Sequence, residues 1–303
     1  MDGLDLECLS RRYGCRFDRA ERVVAGVNRT YRLSSGAQHH YLRLYRPTGR
    51  SPAEIAFELR LLRQCRPTPG IDVARPIATP DGADLISLSF EGQPRYGCLF
   101  TALEGRPLTH APDDMKRFGS SIATLHGALS GIVGSETRPL DPLALCRRAV
   151  EALESIADSA PTRRAIEAWC GPAFGDAARY PLPSGNCHGD AWAGNAVVQG
   201  SDICFYDFDD CGHGPYLIDL GTAAWHLIAQ DGPAAEAHLA ALISGYEEVR
   251  TLEAGEQRRL FDFVKLAEIR SMLFLAAFNL LDEQQWQQTF ARAQALFARE
   301  RPF

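Results

Sequence analysis

The sequence lacks the features that mark membrane proteins and nucleic-acid binding proteins. No apolar stretch approaches the roughly 20 residues that a membrane-spanning helix requires, and the first residues lack the basic and apolar blocks of a signal peptide. The 32 Lys and Arg residues stand against 38 Asp and Glu, a net charge of -6, which gives no attraction to a nucleic-acid backbone or an anionic membrane. The sequence therefore predicts a cytoplasmic protein with neither nucleic acid nor a membrane as a partner.

Paired cysteines are missing as well. The nine cysteines are an odd number and include no C-x-x-C pair, which argues against structural disulfides and against a zinc site. Three of them, Cys187, Cys204 and Cys211, lie close together in the chain. No set of histidines and cysteines has the spacing of metal ligands there, so we expect buried, inert thiols.

The first third of the chain has the pattern of a β-rich region. Alternating apolar and polar residues between Pro and Gly punctuation predict short strands. A helix begins after the first three of them, at Pro52, because Ser51 fits an N-cap and Glu54 completes a capping box. The predicted strands are residues 23–26, 30–33, 41–45, 73–78, 84–89 and 96–102.

The remainder is mainly helical, apart from two short predicted strands at residues 196–198 and 203–206. With 303 residues, 46% of them hydrophobic, the chain can form two domains or one bilobal domain with a large core. We therefore predict an α+β fold with a β-rich N-terminal lobe, residues 1–101, and a mainly helical C-terminal lobe, residues 102–303. The further predicted helices are residues 113–130, 141–157, 161–169, 217–230, 233–249, 255–281 and 283–299.

A short run near the two-thirds point carries the strongest chemical signal. It reads H-G-D-A-W-A-G-N from His188 to Asn195, and Asp207 follows twelve residues later, directly after a predicted strand. Phosphoryl transfer needs a carboxylate beside the acceptor hydroxyl and oxygen ligands for Mg²⁺. Asp190 can orient and deprotonate the hydroxyl, while Asn195 and Asp207 can bind the metal ion. The layout predicts a phosphotransfer site.

The run CHGDAWAGNAVVQGSDICFYDFDDCGHGPYLIDLG resembles the signature of the aminoglycoside phosphotransferase and choline kinase superfamily, which has a protein-kinase-like fold. The resemblance extends from Gly26 to about Phe274. It implies ATP as phosphoryl donor, Mg²⁺ as cofactor, Asp190 as the catalytic aspartate, and Asn195 and Asp207 as metal ligands. It also implies that Asp219 braces the H-G-D loop, although a helix N-terminal cap would explain an aspartate at this position equally well.

The same resemblance implies a nucleotide site in the first lobe. Gly26 and Asn28 occupy the position of the loop that covers the phosphates. Arg43 stands where protein kinases have lysine; it keeps the positive charge but differs in reach and geometry. Glu58 is the expected partner of Arg43, with Glu54 as the alternative. The adenine is expected to bind the backbone between the lobes, along Phe100, Ala102 and Leu103.

Several residues near the motif keep two interpretations. Asp209 and Asp210 can reach a second metal or the substrate, or form a solvated acidic turn. Trp192 can flank the acceptor or fill a gap in the packing. His188 and His126 are expected to be structural histidines that hydrogen-bond near the loop.

The acceptor is the least determined part of the prediction. A small-molecule hydroxyl is favoured, in an aminoglycoside, choline or a homoserine-like compound, by analogy with the superfamily. The sequence is also similar to bacterial stress-response Ser/Thr kinases, which keeps a protein substrate as an alternative. A nucleotide-binding pseudokinase or scaffold is a further alternative, supported by Arg43. The sequence does not assign an oligomeric state.

Overall fold

The computed structural model describes residues 3–134, 138–175 and 181–300. Roughly the first hundred residues of the chain form a six-stranded antiparallel sheet and two helices. Short strands and a series of helices follow. The elements of this first part are α1 (Leu6–Tyr13), β1 (Arg19–Ala25), β2 (Arg29–Ser35), β3 (Gln38–Leu44), α2 (Pro52–Gln64), β4 (Ile71–Val73), β5 (Pro76–Ile77), β6 (Ile86–Phe90) and β7 (Gln93–Thr101).

The second part is mainly helical. It contains a four-stranded sheet and a two-stranded sheet. Residues 188–195 and 207–210, which include the motif, lie in the segments that connect these two sheets. The elements are β8 (Arg106–Pro107), α3 (Pro112–Leu129), α4 (Pro142–Leu153), α5 (Ala160–Phe174), β9 (Ser184–Cys187), β10 (Ala196–Gln199), β11 (Asp202–Phe205), β12 (Gly212–Pro215), α6 (Leu217–Gln230), α7 (Ala235–Val249), α8 (Ala254–Ala277) and α9 (Glu283–Phe297).

The first sheet has the strand order β1-β2-β3-β7-β5, with β6 paired to β7, and all of these pairs are antiparallel. Its central strand β3 places Arg43 opposite Thr30 of β2 and Cys98 of β7. A separate apolar core beneath it includes Leu33 and Leu42. The centre of the sheet thus holds Arg43 on a rigid strand.

Helix α1 was missed by the sequence analysis, although its end signals are present. Asp5 accepts a hydrogen bond from the backbone of Cys8 as an N-cap, and Gly14 ends the helix in the left-handed conformation. Leu9 and Tyr13 pack this helix onto the core of the first sheet. Eight residues give too short a periodic pattern for a confident helix assignment from sequence.

Helix α2 begins as predicted. The Ser51 side chain accepts from the backbone of Glu54, and the Glu54 side chain accepts from the backbone of Ser51, so both halves of the capping box are formed. Its apolar face is buried, and Glu58 on the same face is 1% exposed. The helix therefore carries a carboxylate into the interior of the protein.

The predicted strand at residues 73–78 is divided between two sheets. β4 pairs in parallel with β11, whereas β5 pairs antiparallel with β7. The division falls at two consecutive backbone N–H groups: that of Ala74 donates to the carbonyl of Phe205, and that of Arg75 donates to the hydroxyl of Thr101. Pro76 follows and has no N–H, so a continuous ladder is not available to this segment.

The fold class is α+β with two lobes, as predicted from the sequence. The predicted helices are present, and α8 ends at Ala277 rather than 281, because Asn279 takes a left-handed backbone conformation. The boundary between residues 101 and 102 stays a prediction, and the outer ends of the predicted lobes, residues 1 and 303, lie outside the described ranges. Within the described ranges, every helix is too short or too polar to cross a bilayer.

Candidate active site

The H-G-D loop, residues 188–195, is held in place by the buried carboxylate of Asp219. Asp219 accepts hydrogen bonds from the backbone N–H groups of His188, at 2.8 Å, and Gly189, at 2.7 Å. His126 adds a third, at 3.0 Å from Nε2 to the same carboxylate. Burial acts to raise the pKa of Asp219, but the His126 hydrogen bond and charge outweigh it and the pKa is lowered. The side chain makes no capping bond in α6, so Asp219 is a brace.

Glycine is required at the second position of the loop. Gly189 has φ of +85°, and a Cβ on it would overlap the carbonyl oxygen of Asp210. The neighbouring His188 is fully buried, and its Nε2 lies 2.9 Å from the carbonyl oxygen of Tyr206. His188 therefore has the structural role that was predicted for it.

Asp190 and Asn195 are directly linked. The amide nitrogen of Asn195 donates to Oδ2 of Asp190 at 2.8 Å and to the Asp190 carbonyl at 2.9 Å. Because the nitrogen faces Asp190, the amide oxygen of Asn195 remains available to another ligand. Burial and the charge of Asp210 raise the pKa of Asp190 to about 6, against the opposing charge of Arg270.

The acidic turn, residues 207–210, is joined to the H-G-D loop through Tyr206. The Tyr206 N–H donates to the carbonyl of Asn195 at 3.0 Å, and its hydroxyl donates to the carbonyl of Gly194 at 2.6 Å. Asp207 follows with φ 62° and ψ 60°, a left-handed conformation that few residues other than glycine adopt. Its side chain is 48% exposed. A strained residue held in place by its neighbours is typical of functional sites.

Arg43 connects the first sheet to the acidic turn. Its guanidinium donates to Glu58 at 2.7 Å and to Asp207 at 2.9 Å, and Tyr45 donates to the other oxygen of Glu58 at 3.1 Å. Burial raises the pKa of Glu58, and the charge of Arg43 opposes this shift. The predicted pairing of Arg43 with Glu58 is thus confirmed, while Glu54 is engaged in the helix cap.

A cavity of about 280 Å³ lies between the first sheet and the acidic turn. Four of the residues predicted for the nucleotide site are in its wall, namely Arg43, Glu58, Phe100 and Leu103. Gly26, Asn28 and Ala102 are not among the described residues that line it. Asn28 instead accepts a hydrogen bond from the backbone of Arg46 at 3.0 Å. Its wall contains the apolar side chains of Val23, Val24, Phe100 and Leu103 and the charged side chains of Arg43 and Asp207.

The family described as the Phosphotransferase enzyme family matches this chain over residues 22–252. The chain belongs to that family. It is accordingly a kinase that acts on hydroxyl acceptors, as the motif predicted.

Individual relatives agree with this family. The homoserine kinase of Neisseria meningitidis serogroup B is 29% identical over 244 residues, which cover 78% of this chain and 75% of that protein. Among solved structures, an amicoumacin kinase in complex with AMP-PNP, Ca²⁺ and Ami has a TM-score of 0.77 at 15% identity, covering 98% of this chain and 94% of that one. A microcompartment-associated aminopropanol kinase has a TM-score of 0.69 at 22% identity, covering 97% and 95%. These structures establish the fold.

The phosphotransferase has an arginine cluster, Arg46, Arg50 and Arg138, that the sequence analysis did not identify. Arg46 donates to Asp209 at 2.7 Å, and Arg50 donates to the same carboxylate at 3.3 Å and also contacts Asp210. Arg138 donates to the backbone carbonyl of Asp209 at 2.6 Å. Burial acts to raise the pKa of Asp209, but these arginines lower it to about 2. Asp209 is 8% exposed, so its interpretation as a solvated residue was wrong.

Two residues outside the H-G-D loop also contact it, namely Arg270 and His226. Arg270 of α8 donates to the carbonyl of Gly189 and, at 3.3 Å, to the hydroxyl of Thr222. Trp192 stacks on His226, with ring centroids 4.2 Å apart and planes 9° from parallel. The sequence analysis gave Arg270 no role, because a single arginine on a long helix carries no distinguishing pattern.

A set of possible metal ligands beneath the loop is better described as a hydrogen-bond network. One ligand atom from each of His126, Cys187 and Asp219 lies within 4.8 Å of the others. Both ring nitrogens of His126 have partners, since Nδ1 lies 3.1 Å from the Tyr246 hydroxyl. Cys187 donates to the carbonyl of Gly214 at 3.6 Å, and burial holds its pKa well above the usual value. All nine cysteines are free thiols.

Proposed function

We propose that the phosphotransferase moves the γ-phosphoryl group of ATP, with Mg²⁺, to a hydroxyl group of a small molecule. The observation that carries this proposal is the contact between the two loops. Asn195 is hydrogen-bonded to Asp190, and Tyr206, directly before Asp207, is hydrogen-bonded to Asn195. Three oxygen-bearing side chains therefore lie on adjoining backbone segments, and one of them, Asp207, lines the cavity.

The residues at this position fit Mg²⁺. The amide oxygen of Asn195 is not used by the Asp190 contact, and Asp207 offers a carboxylate that is 48% exposed. Oxygen ligands of this type, one carboxylate and one amide, leave room for phosphate oxygens and water around the ion. When bound, Mg²⁺ supplies charge neutralisation for the phosphates.

Asp190 is assigned as the general base. Its pKa of about 6 leaves it ionised at neutral pH yet basic enough to receive a proton in the transition state. In the proposed step, the acceptor hydroxyl gives its proton to Asp190 and its oxygen forms a bond to the γ-phosphorus. The bond between that phosphorus and the bridging oxygen of ADP breaks, and ADP leaves with the electron pair.

The cavity is the proposed nucleotide site. Its apolar side chains suit a purine base. Phe100 lies near the end of β7, and Leu103 lies on the segment that follows β7, where backbone groups can pair with the purine edge. Arg43, in the same wall, can contact phosphate oxygens. The contributions of Gly26, Asn28 and Ala102 stay predictions, and so does the division into lobes at residue 101.

We favour a small amine-bearing acceptor over a protein substrate. The relatives named homoserine kinase and aminopropanol kinase support this choice by analogy. The nine free thiols support a reducing compartment, the cytoplasm, as the site of the reaction.

The test is ADP release with a panel of amino alcohols, hydroxy-amino acids, aminoglycosides and generic protein substrates. Asp190→Asn should reduce kcat by about 100-fold or more, as removal of a general base does. Asp202→Asn, which lies on the same hairpin as the acidic turn, should leave kcat near that of the wild type. Full activity in Asp190→Asn would show that the assignment of the base is wrong.

A thermal-shift measurement separates the pseudokinase alternative from the enzyme. Mg·ATP should raise the Tm of the wild type, because it binds the folded state alone, and Asp207→Asn should reduce this shift. A shift in Tm without turnover of any acceptor would favour the pseudokinase. Turnover of protein substrates alone would favour the protein kinase.

A further inference from the structure

Buried hydrogen bonds continue from the brace of the H-G-D loop to the connection between α7 and α8. Asp219 is bonded to His126, and the other ring nitrogen of His126 lies 3.1 Å from the hydroxyl of Tyr246. Arg250, directly after α7, donates to the same hydroxyl, also at 3.1 Å. The first three of these residues are at most 2% exposed, which shields their hydrogen bonds from water. The four residues together form the brace network.

Close packing of α3 against α7 sets the distance between His126 and Tyr246. Gly119 of α3 lies so near the backbone of Leu242 that a Cβ would overlap the carbonyl oxygen, and Gly245 of α7 is similarly close to the backbone of α3. Two helices that meet at backbone distance have little freedom to slide. The Tyr246 hydroxyl is therefore presented to His126 in one place.

Arg250 is itself held by two kinds of contact. Glu256, which is fully buried, accepts from both terminal nitrogens of the guanidinium at 2.9–3.0 Å. The guanidinium carbon also lies 5.1 Å from the ring centroid of Tyr216 and 5.8 Å from that of Tyr246. Tyr216 stacks on His126, with ring centroids 4.4 Å apart. Arg250 therefore contacts both of the tyrosines that pack against His126.

We infer that Arg250 is a positioning residue for phosphoryl transfer, acting on the H-G-D loop through the brace network. This inference rests on the proposed function and adds a residue that lies outside the motif. Arg250 fixes the Tyr246 hydroxyl, and the hydroxyl fixes the ring of His126. That ring is bonded to the carboxylate that receives two backbone N–H groups of the loop. A shift of the loop moves Asp190 away from the acceptor hydroxyl, which lowers kcat.

The first test is Tyr246→Phe, which removes the shared hydroxyl but keeps the ring and the ion pair of Arg250 with Glu256. ADP release by the full-length protein should show a kcat lowered by about fivefold to tenfold, the effect of one lost hydrogen bond. None of the four network residues is among the described residues that line the nucleotide cavity. The KM for Mg·ATP should therefore stay within about twofold of the wild type. An unchanged kcat would overturn the inference.

Arg250 is replaced together with its partner, because Glu256 alone would be an uncompensated buried charge. Arg250→Met/Glu256→Gln removes the donor to Tyr246 and should lower kcat by a similar factor, again with little change in the KM for Mg·ATP. Arg250→Lys, with Glu256 unchanged, keeps a charged donor and should recover part of the kcat. If the lysine variant were as slow as the double variant, Arg250 would not act through its donor, and the inference would be wrong.

A matched control is the ion pair of Arg259 with Asp262 on α8. The Arg259 side chain is 22% exposed, as is that of Arg250, and its guanidinium carbon lies 5.2 Å from the ring centroid of Phe174. Its other contact is the carbonyl of Ala173, away from the H-G-D loop. Arg259→Met/Asp262→Asn should leave kcat and the KM for Mg·ATP near the wild-type values. An equal fall in kcat in this control would overturn the inference, since it would reflect a general loss of stability.

Hydrogen exchange of the Gly189 amide provides a measurement that does not depend on activity. This N–H is bonded to Asp219, and its exchange should be about tenfold faster in Tyr246→Phe than in the wild type or in the control. Equal exchange rates would overturn the inference even in an active enzyme. If Mg·ATP gives no thermal shift and no acceptor releases ADP, the proposed function is wrong, and the exchange rates still decide whether the brace network positions the loop.

Discussion

The H-G-D loop and the acidic turn lie side by side but are held by different forces. The loop is fixed from the helical lobe by short hydrogen bonds from backbone N–H groups to one buried carboxylate, Asp219. The turn is fixed by guanidinium groups, with Arg46 and Arg50 on Asp209 and Arg43 on Asp207. The hydrogen bonds to Asp219 are directional and fix the orientation of the loop, which suits proton transfer. An ion pair with a half-exposed partner can be exchanged for another, which is consistent with the metal-binding role proposed for Asp207.

The largest effect is expected when the brace of the H-G-D loop is altered. Asp219→Asn keeps the size of the side chain but replaces one acceptor oxygen with a donor, so a buried N–H loses its partner. We expect kcat to fall by about 100-fold and the free energy of unfolding to fall by about 2–3 kcal/mol. Activity assays and urea unfolding measure the two effects. Asp113→Asn, an exposed aspartate of α3, should change neither, and a similar loss there would contradict the interpretation.

The second effect concerns the acidic turn. Arg46→Gln removes a buried ion pair whose side chains are 6% and 12% exposed. The negative charge of Asp209 then has one arginine partner fewer. We expect a loss of about 3 kcal/mol in the free energy of unfolding and about a 30-fold fall in kcat/KM for Mg·ATP. The control is Arg11→Gln, since the pair of Arg11 with Glu7 is 70% and 82% exposed. Arg11→Gln should lower the free energy of unfolding by less than about 1 kcal/mol. Equal losses in the two variants would show that burial of the ion pair does not matter here.

Mild acid should protonate Asp190 and leave the Asp209 ion pairs of the acidic turn intact. The pKa of Asp190 is raised to about 6, so the base becomes protonated as the pH falls through that value. We expect kcat/KM at pH 5 to be about tenfold lower than at pH 8. The pKa of Asp209 is lowered to about 2, so its stabilising contribution is present above the unfolded value of about 3.9 and is lost only as the pH falls towards 2. Circular dichroism at pH 5 should therefore show a folded protein, and unfolding there would contradict this account.

The smallest effect is expected where the two regions meet. Tyr206→Phe removes one hydrogen bond, from the Tyr206 hydroxyl to the carbonyl of Gly194, and leaves the ring in place. We expect a loss of about 1 kcal/mol in the free energy of unfolding and about a threefold to fivefold fall in kcat. Tyr96→Phe, a half-exposed position on β7, is the matched control and should behave as the wild type. A fall in kcat as large as that of Asp219→Asn would mean that the contact between Tyr206 and Gly194, and not the Asp219 carboxylate, fixes the H-G-D loop.

Local signals in the sequence were sufficient for much of the fold. The capping residues Ser51 and Glu54 gave the start of α2, the H-G-D pattern gave the loop, and the family resemblance implied that Asp219 braces it. The order of the helices followed from apolar periodicity. The preference for Glu58 over Glu54 as the partner of Arg43 was also correct, because the resemblance supplied the register of the helix.

The parts that sequence could not provide depend on contacts between distant segments. Arg46 and Asp209 are 163 residues apart, and although Asp209 stands in the acidic turn, nothing in the sequence indicates that Arg46 is its partner. The same holds for Arg270, whose contact with Gly189 joins residues 81 apart. The transfer of β4 into the second sheet could not be predicted either, because strand pairing is decided by the tertiary arrangement and not by local propensity.

The placement of β4 in the sheet of the second lobe connects the two sheets more than once. The chain passes between them through α2, which links β3 to β4, again at residues 74 and 75, where successive N–H groups bond to different strands, and again after β7, where Gly105 packs directly on the backbone of Val198. Ala74, at the second of these crossings, and Leu103, beside the third, both line the cavity. The placement of the two sheets relative to each other is therefore fixed by the main chain at the cavity itself.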